Sequence, residues 1–298
     1  MSHKDVDHST PSSALFVSII LNCGIFALEV VGGLLSGSLA LLSDAFHNLT
    51  DTLSLVVTFL AVRIARRRQT PERTYGYRRA EVLAAFLNTL FLFGVSGYLV
   101  YEALFRLVYP VPLEADTALL VALFGLAGNL ASVVLLLPLS HRSLGVRSAF
   151  LHLLSDTLSS CAVVFGVVLI RFFKFVALDS LLSLSIVIFL FREAVPLFQE
   201  TLRILMQGSP RHVQPEHIKE RLERMEGVEN VHHVHLWSLS EKEHYAELHV
   251  VAKCATLEEA DVLREDIAAV LRQEFHIHHS TIQLECRSCS DRRLIVEE

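Results

Sequence analysis

Two apolar stretches of this chain each carry a histidine and an aspartate four residues apart, His47 with Asp51 and His152 with Asp156. Four residues is about one helical turn, so in a helix each pair projects from a single face. A carboxylate at the centre of a membrane helix costs roughly 2.5 to 3.5 kcal/mol on insertion scales, so two helices that each carry one need a compensating partner. Two imidazole nitrogens and two carboxylate oxygens form a tetrahedral ligand set for a divalent cation. Zinc suits that mixture, having no geometric preference of its own. A metal ion inside a membrane points to transport.

The chain has 298 residues and is 52% hydrophobic, yet its last third is polar. One membrane domain and one soluble domain are therefore expected. Candidate spans cover residues 14–35, 38–62, 82–108, 117–139, 149–170 and 178–198, each near the roughly 20 residues that cross a bilayer. The expected membrane fold is a six-helix α-helical transmembrane bundle. The chain then divides into a tail (1–13), the membrane domain (14–208), a small α+β domain (209–286) and a second tail (287–298).

Between the second and third spans stand Arg63, Arg66, Arg67, Arg68, Arg73, Arg78 and Arg79 against one acid, Glu72. By the positive-inside rule that loop is cytoplasmic, which places both termini on the same side. Arg171 and Lys174 oppose this weakly. The first apolar run lacks a small-residue cleavage signal and reads as a retained helix. With no targeting segment and a compact chain, a bacterial inner membrane is the expected location, though an organelle membrane gives the same topology. The net charge is −6 and the soluble part has no basic face interleaved with aromatics, so nucleic acid is not an expected partner. Five scattered cysteines imply no disulfide framework.

Asp44, His47 and Asp51 fall at i, i+3 and i+7, so Asp44 is placed to support a ligating histidine from outside the metal's own shell. The plain alternative is that these groups hydrogen-bond between helices, as polar residues in bundles do. Duplication of the spacing in two spans favours metal. Gly32, Gly33, Gly37, Gly94, Gly97, Gly125 and Gly128 allow close helix approach. Asn22 and Glu29 share one face of the first span, where they either line an aqueous path or pack.

Three runs carry a resemblance. They are Gly37-Ser-Leu-Ala-Leu-Leu-Ser-Asp-Ala-Phe-His47-Asn-Leu-Thr-Asp51, Arg73-Thr-Tyr-Gly-Tyr-Arg-Arg-Ala-Glu-Val-Leu-Ala-Ala-Phe-Leu-Asn88 and Val146-Arg-Ser-Ala-Phe-Leu-His152-Leu-Leu-Ser-Asp156. Together they resemble the cation diffusion facilitator family, over about residues 15–285. The resemblance implies a homodimeric zinc transporter that exchanges metal for protons. Its intramembrane ligands map onto His47, Asp51, His152 and Asp156, and the histidine-bearing set implies zinc with cadmium or cobalt as lesser substrates. Two departures stand out. The loop between the fourth and fifth spans is short and offers only His141, and Asp179-Ser180 replaces the usual Asp-Pro before the sixth span.

In the polar third, the pattern reads helix over 215–225, strands over 228–238 and 244–253, helix over 257–274 and strand over 278–286. That αββαβ order suits a small sheet with two helices on one face. In the resembled family this cytoplasmic domain is ferredoxin-like and dimerises. Strand alternation sets His235 opposite His249 across a three-residue turn. The resemblance instead implies a cytoplasmic metal site of His232, His249 and Glu285, which agrees with alternation only if the strand is irregular near His232. Surface histidines are otherwise solvated. Cys286 and Cys289 offer two thiolates, too few for zinc alone, though family members complete such a pair from the partner's amino terminus, where His3 and His8 stand.

The expected function is zinc efflux by alternating access, with Zn²⁺ and H⁺ as exchanged partners. A membrane metalloenzyme would need a base beside an open metal position, and no His-Glu-x-x-His occurs. A non-transporting zinc sensor or scaffold is the rival of a different class. A manganese or iron exporter is the rival within the class, disfavoured by the two histidines.

Overall fold

The computed structural model describes residues 9–139, 144–285 and 293–295, with side chains described for 20–138, 150–285 and 293–295. The helices α1 (Ser9–Ser36), α2 (Leu39–Ala65), α3 (Ala80–Val108), α4 (Ala115–Leu136), α5 (Leu144–Phe173) and α6 (Ala177–Leu205) come first. Among the described residues, five are long and apolar enough to cross a bilayer, α2 to α6, while α1 presents a shorter apolar helix over Ile20–Ser36. The fourth expected span ends early, at Leu136, and passes into a 3₁₀ turn at Leu137–Leu139. Pro138 sits in that turn and has no N–H to continue the helix. The last span runs past its expected end because Glu200, ion-paired with Arg203 on the next turn and with Arg211, extends the helix through polar residues.

Packing divides the chain into two units, residues 1–57 with 88–196 and residues 58–87 with 197–298. In the first, α4 packs on α1 and α5. The α1–α4 approach depends on small residues. A Cβ at Gly125 would lie 2.5 Å from Glu29 Oε1, and one at Gly128 would lie 2.7 Å from Ile25 Cδ1. Gly94 and Gly97 have nothing within 4 Å and play no such part. Gly37 turns the chain from α1 into α2 at φ +74°, where a Cβ would also meet the Pro112 carbonyl at 2.8 Å. Leu55, Phe124, Phe165 and Phe172 face outward uncovered, an apolar surface suited to lipid.

In the second unit, α7 (Pro215–Leu222), β1 (Val228–Ser238), β2 (His244–Ala252), α8 (Leu257–Phe275) and β3 (Ile277–Glu285) follow the expected αββαβ order. Pro215 opens α7, where its missing N–H costs nothing. Thr256 caps α8 by accepting from the Glu259 N–H, and the Glu259 carboxylate accepts from the Ala255 N–H. The sheet order is β1-β2-β3, antiparallel for the first pair and parallel for the second, with α8 as the crossover. Ile218 and Leu222 of α7 and Leu263, Ile267 and Leu271 of α8 bury against Val231, Val234, Leu236, Leu248 and Val250. That core occupies one face of the sheet and leaves the other for His232, His235 and His249.

Candidate metal centre

Helix periodicity brings the sequence-marked residues of the first unit together. His47 Nδ1 lies 3.5 Å from Asp51 Oδ2 on its own helix, and His47 Nε2 lies 3.4 Å from Asp156 Oδ1 on α5. His152 Nε2 lies 3.4 Å from Asp51 Oδ2 and 3.8 Å from Asp156 Oδ2. A ligand atom from each of His47, Asp51 and Asp156 falls within 4.8 Å of the other two. His152 closes the set from the rim, its side chain 47% exposed against 2% for Asp156.

The oxygens Asp51 Oδ2, Asp156 Oδ1 and Asp156 Oδ2 are buried with no hydrogen-bond partner among the described residues. Buried carboxylate oxygens are costly in that state, and a cation between them removes the cost. A tetrahedral ion with bonds of about 2.0 Å separates its ligand atoms by roughly 3.3 Å, close to the spacings found. The cluster can therefore hold zinc with little movement.

Asp44 does not turn toward the His47 ring. It accepts hydrogen bonds from Ser159 at 3.0 Å and Ser160 at 3.1 Å, and Ser160 in turn accepts from Asn129 of α4 at 2.8 Å. These hydrogen bonds tie α2, α5 and α4 together, so Asp44 links the two helices that carry the cluster. Glu29 is 1% exposed and accepts from Asn48 at 3.0 Å, linking α1 to α2, while Asn22 Oδ1 is buried without a hydrogen-bond partner among the described residues. Sequence reasoning missed two contributors. Asn129 is a polar residue in an otherwise apolar run, and that is its signal. Asp179 accepts from Ser38 Oγ at 2.6 Å, from the Leu39 N–H at 2.6 Å and from the Ala40 N–H at 3.3 Å, so it caps α2 from α6. The Asp179 carboxylate makes these bonds while Ser180, not proline, occupies the following position.

The second cluster is built by an irregularity. The expected pairing of His235 with His249 is not found: the register from Ser238 and His244 inward sets His235 against Glu247, and a shift between His232 and His235 then pairs His232, in place of His233, with His249. His233 is the extra residue, in left-handed conformation at φ 50°. A β-bulge of this kind leaves one residue unpaired and resets which neighbour faces its partner. The His235–His249 pairing is thus corrected, and His232, His249 and Glu285 converge. His249 Nδ1 lies 2.9 Å from Glu285 Oε1 and His232 Nε2 lies 3.6 Å from Glu285 Oε2. The His233 N–H and the Val234 N–H donate to the carbonyls of Arg293 and Leu294, so the tail pairs with β1 at the bulge.

Burial holds the His232 imidazole below the usual histidine range. For Glu285 burial pushes the other way, but hydrogen bonds from His249 and Gln283 outweigh it and keep the carboxyl below its ordinary value. A neutral imidazole beside an ionised carboxylate is the state in which metal binds. Both His232 ring nitrogens and Glu285 Oε2 are buried without hydrogen bonds among the described residues, which fits a cation bound there. Cys286, Cys289, His3, His8 and His141 lie outside the described residues.

Together, apolar membrane helices around a buried acid–histidine cluster and a small sheet domain with a second cluster define an integral membrane protein that handles cations. Residues 15–206 match the model of the cation efflux transmembrane domain, and residues 210–286 match that of the cation efflux protein cytoplasmic domain. The chain belongs to the cation efflux family, the cation diffusion facilitators, which are transporters and not enzymes. It is 37% identical over 276 residues to the metal cation efflux system protein CzcD of Cupriavidus metallidurans, covering 93% of this chain and 87% of that one. It is 36% identical over 290 residues to the zinc transporter ZitB of Escherichia coli, covering 97% and 91%. It is 33% identical over 274 residues to the cadmium, cobalt and zinc/H⁺–K⁺ antiporter of Bacillus subtilis, covering 91% and 88%. A solved structure of the metal-bound carboxy-terminal domain of the CzcD transporter is 32% identical, covers 24% of this chain and 99% of that one, and has a TM-score of 0.22.

Proposed function

We propose that this protein exports zinc from the cytoplasm in exchange for protons, as a homodimer working by alternating access, with cadmium and cobalt as lesser substrates. The observation that carries the reading is the convergence of His47, Asp51 and Asp156, with His152 at the rim, around carboxylate oxygens that have no hydrogen-bond partner among the described residues. The names of the relatives support zinc and related metals as substrates and protons as the counter-ion.

The ligands bind metal only when deprotonated, so loading zinc releases protons and protonation releases zinc. Histidine, with an ordinary pKa near ~6.5, is the natural proton carrier. Rocking of α1, α2, α4 and α5 exposes the site alternately to either side. In this reading α1 completes a six-span bundle over residues 14–208, both termini are cytoplasmic, and residues 209–286 form a ferredoxin-like domain, with tails at 1–13 and 287–298. The membrane is a bacterial inner membrane. His232, His249 and Glu285 hold a resident zinc that fixes β1 to β3 and biases the transport equilibrium by its differential affinity for the two states.

The test is zinc flux into proteoliposomes containing a pH dye, under an imposed proton gradient, for the wild-type chain and Asp51→Ala. Coupled zinc and opposing proton fluxes that vanish together in the variant are expected. Absence of flux for zinc, cadmium, cobalt and manganese in folded dimers would overturn transport and leave a zinc sensor.

A further inference from the structure

The segment that joins α2 to α3 holds more positive charge than its surroundings neutralise. Arg66, Arg67, Arg68 and Arg78 line a cleft of about 810 Å³ together with Lys242 from the turn between β1 and β2. The walls hold two carboxylates, Glu81 and Glu243, so five cations less two acids leave a surplus of three. Glu243 is already engaged, in an ion pair with Arg78. Arg66, Arg67 and Arg68 are exposed, and none of them forms an ion pair among the described residues.

The cleft is ordered. Thr70 and Arg73 exchange backbone hydrogen bonds of 3.2 and 2.9 Å, and the Gly76 N–H donates to the Arg73 carbonyl at 2.8 Å. Tyr75, which lines the cleft, packs edge-on against Tyr245 at 5.4 Å. The basic groups are therefore presented from a folded turn and not from a solvated chain. The volume lies within the range of about 300 to 1,000 Å³ that holds small ligands. Guanidinium forks match phosphate oxygens in pairs, and a surplus of positive charge calls for a multiply charged or strongly acidic group.

We propose that this cleft binds a phosphate group, carried either by an anionic lipid headgroup or by a soluble phosphorylated molecule. The setting favours the headgroup. Phe59, Leu60 and Ile64 are exposed along the last turns of α2, so the cleft begins where an apolar surface ends. Basic clusters immediately beyond a membrane helix attract anionic lipids by such proximity.

The test uses the full chain. Binding of phosphatidylglycerol is read by native mass spectrometry from nanodiscs of phosphatidylcholine with and without that lipid, and binding of pyrophosphate is read by equilibrium dialysis in neutral detergent. At least one probe binds, with affinity falling as salt rises. The triple variant Arg66→Gln, Arg67→Gln, Arg68→Gln weakens that binding more than about tenfold, and Lys242→Gln weakens it by about fivefold, while Arg272→Gln on α8 leaves it unchanged. Lys242→Gln keeps the test decisive if loss of three arginines disturbs membrane insertion. Lipid retained against excess pyrophosphate assigns the headgroup, and pyrophosphate binding without lipid assigns the soluble source. The proposal is overturned if folded protein binds neither probe, or if Lys242→Gln and the triple variant bind as the wild-type chain does.

Discussion

The two clusters of this molecule both combine imidazoles with carboxylates but reach convergence by opposite routes. In the membrane unit the ligands lie at i and i+4 on α2 and again on α5, so each helix carries its own pair on one face. Only the apposition of two helices is then needed. In the sheet domain His232 reaches His249 because β1 is irregular, and Glu285 comes from the last residue of β3. A helical site follows from a repeat that sequence displays, whereas a sheet site depends on register, and one extra residue moves every side chain beyond it to the other face.

The largest contrast is in function. Asp156→Ala should lower zinc transport by at least about 100-fold, because even groups outside the ligand shell are worth about 10- to 100-fold in metal affinity. Glu285→Ala should leave transport within a few-fold of wild type while removing one bound zinc per chain. Proteoliposome flux and metal content by mass spectrometry measure the two. Equal loss of transport in both would break the division between a transport site and a resident one.

The next contrast concerns how the sheet site is built. Deleting His233 removes the bulge but leaves His232 opposite His249 and His235 opposite Glu247, so zinc should stay with the domain, whereas His232→Ala should remove it. His233→Gly keeps the extra residue and relieves a left-handed conformation that costs roughly 1 to 2 kcal/mol, so zinc should stay and stability should rise slightly. Loss of zinc in the deletion variant would show that the bulge itself, and not only the pairing of His232 with His249, holds the cluster.

The smallest expected effect is a pH dependence confined to the sheet domain. Burial, reinforced by the nearby charges of His212, His278, His276 and Arg203, holds His244 below its ordinary pKa. The unfolded chain takes up this proton from about pH 6.5 downward while the folded chain resists it, so the stability is complete above that pH and is lost as pH falls through the lowered value. Trp237, the single tryptophan, stacks on Tyr245 beside this region and reports urea unfolding of the domain in the full chain. His244→Gln should flatten the decline between pH 7 and 5 by about 1 kcal/mol or less. An unchanged slope would show that other groups carry it.

Much of this was legible in the residues. The αββαβ order, and its limits to within a few positions, was legible in the residue pattern of the polar third. The grouping of His47, Asp51, His152 and Asp156 followed from spacing. Asp44 was placed on the right face, but its partners Ser159 and Ser160 lie on α5 and have no local signal. Asp179 was the hardest to read, since its hydrogen bonds reach the start of α2, 140 residues earlier. The α1–α4 approach shows the same limit. Gly125 and Gly128 match Gly94 and Gly97 in the sequence, yet only the first two face a neighbour that a Cβ would strike.

By itself the sequence determined the apolar helices, the soluble αββαβ unit and the ligand types, because hydrophobic period and ligand spacing are local properties that a few successive residues specify. Tertiary structure alone decided which oxygens remain unsatisfied, which residue of β1 is extruded, and which carboxylate caps which helix. Each of those depends on contacts between residues far apart in the chain, where packing and register, not propensity, select the partner.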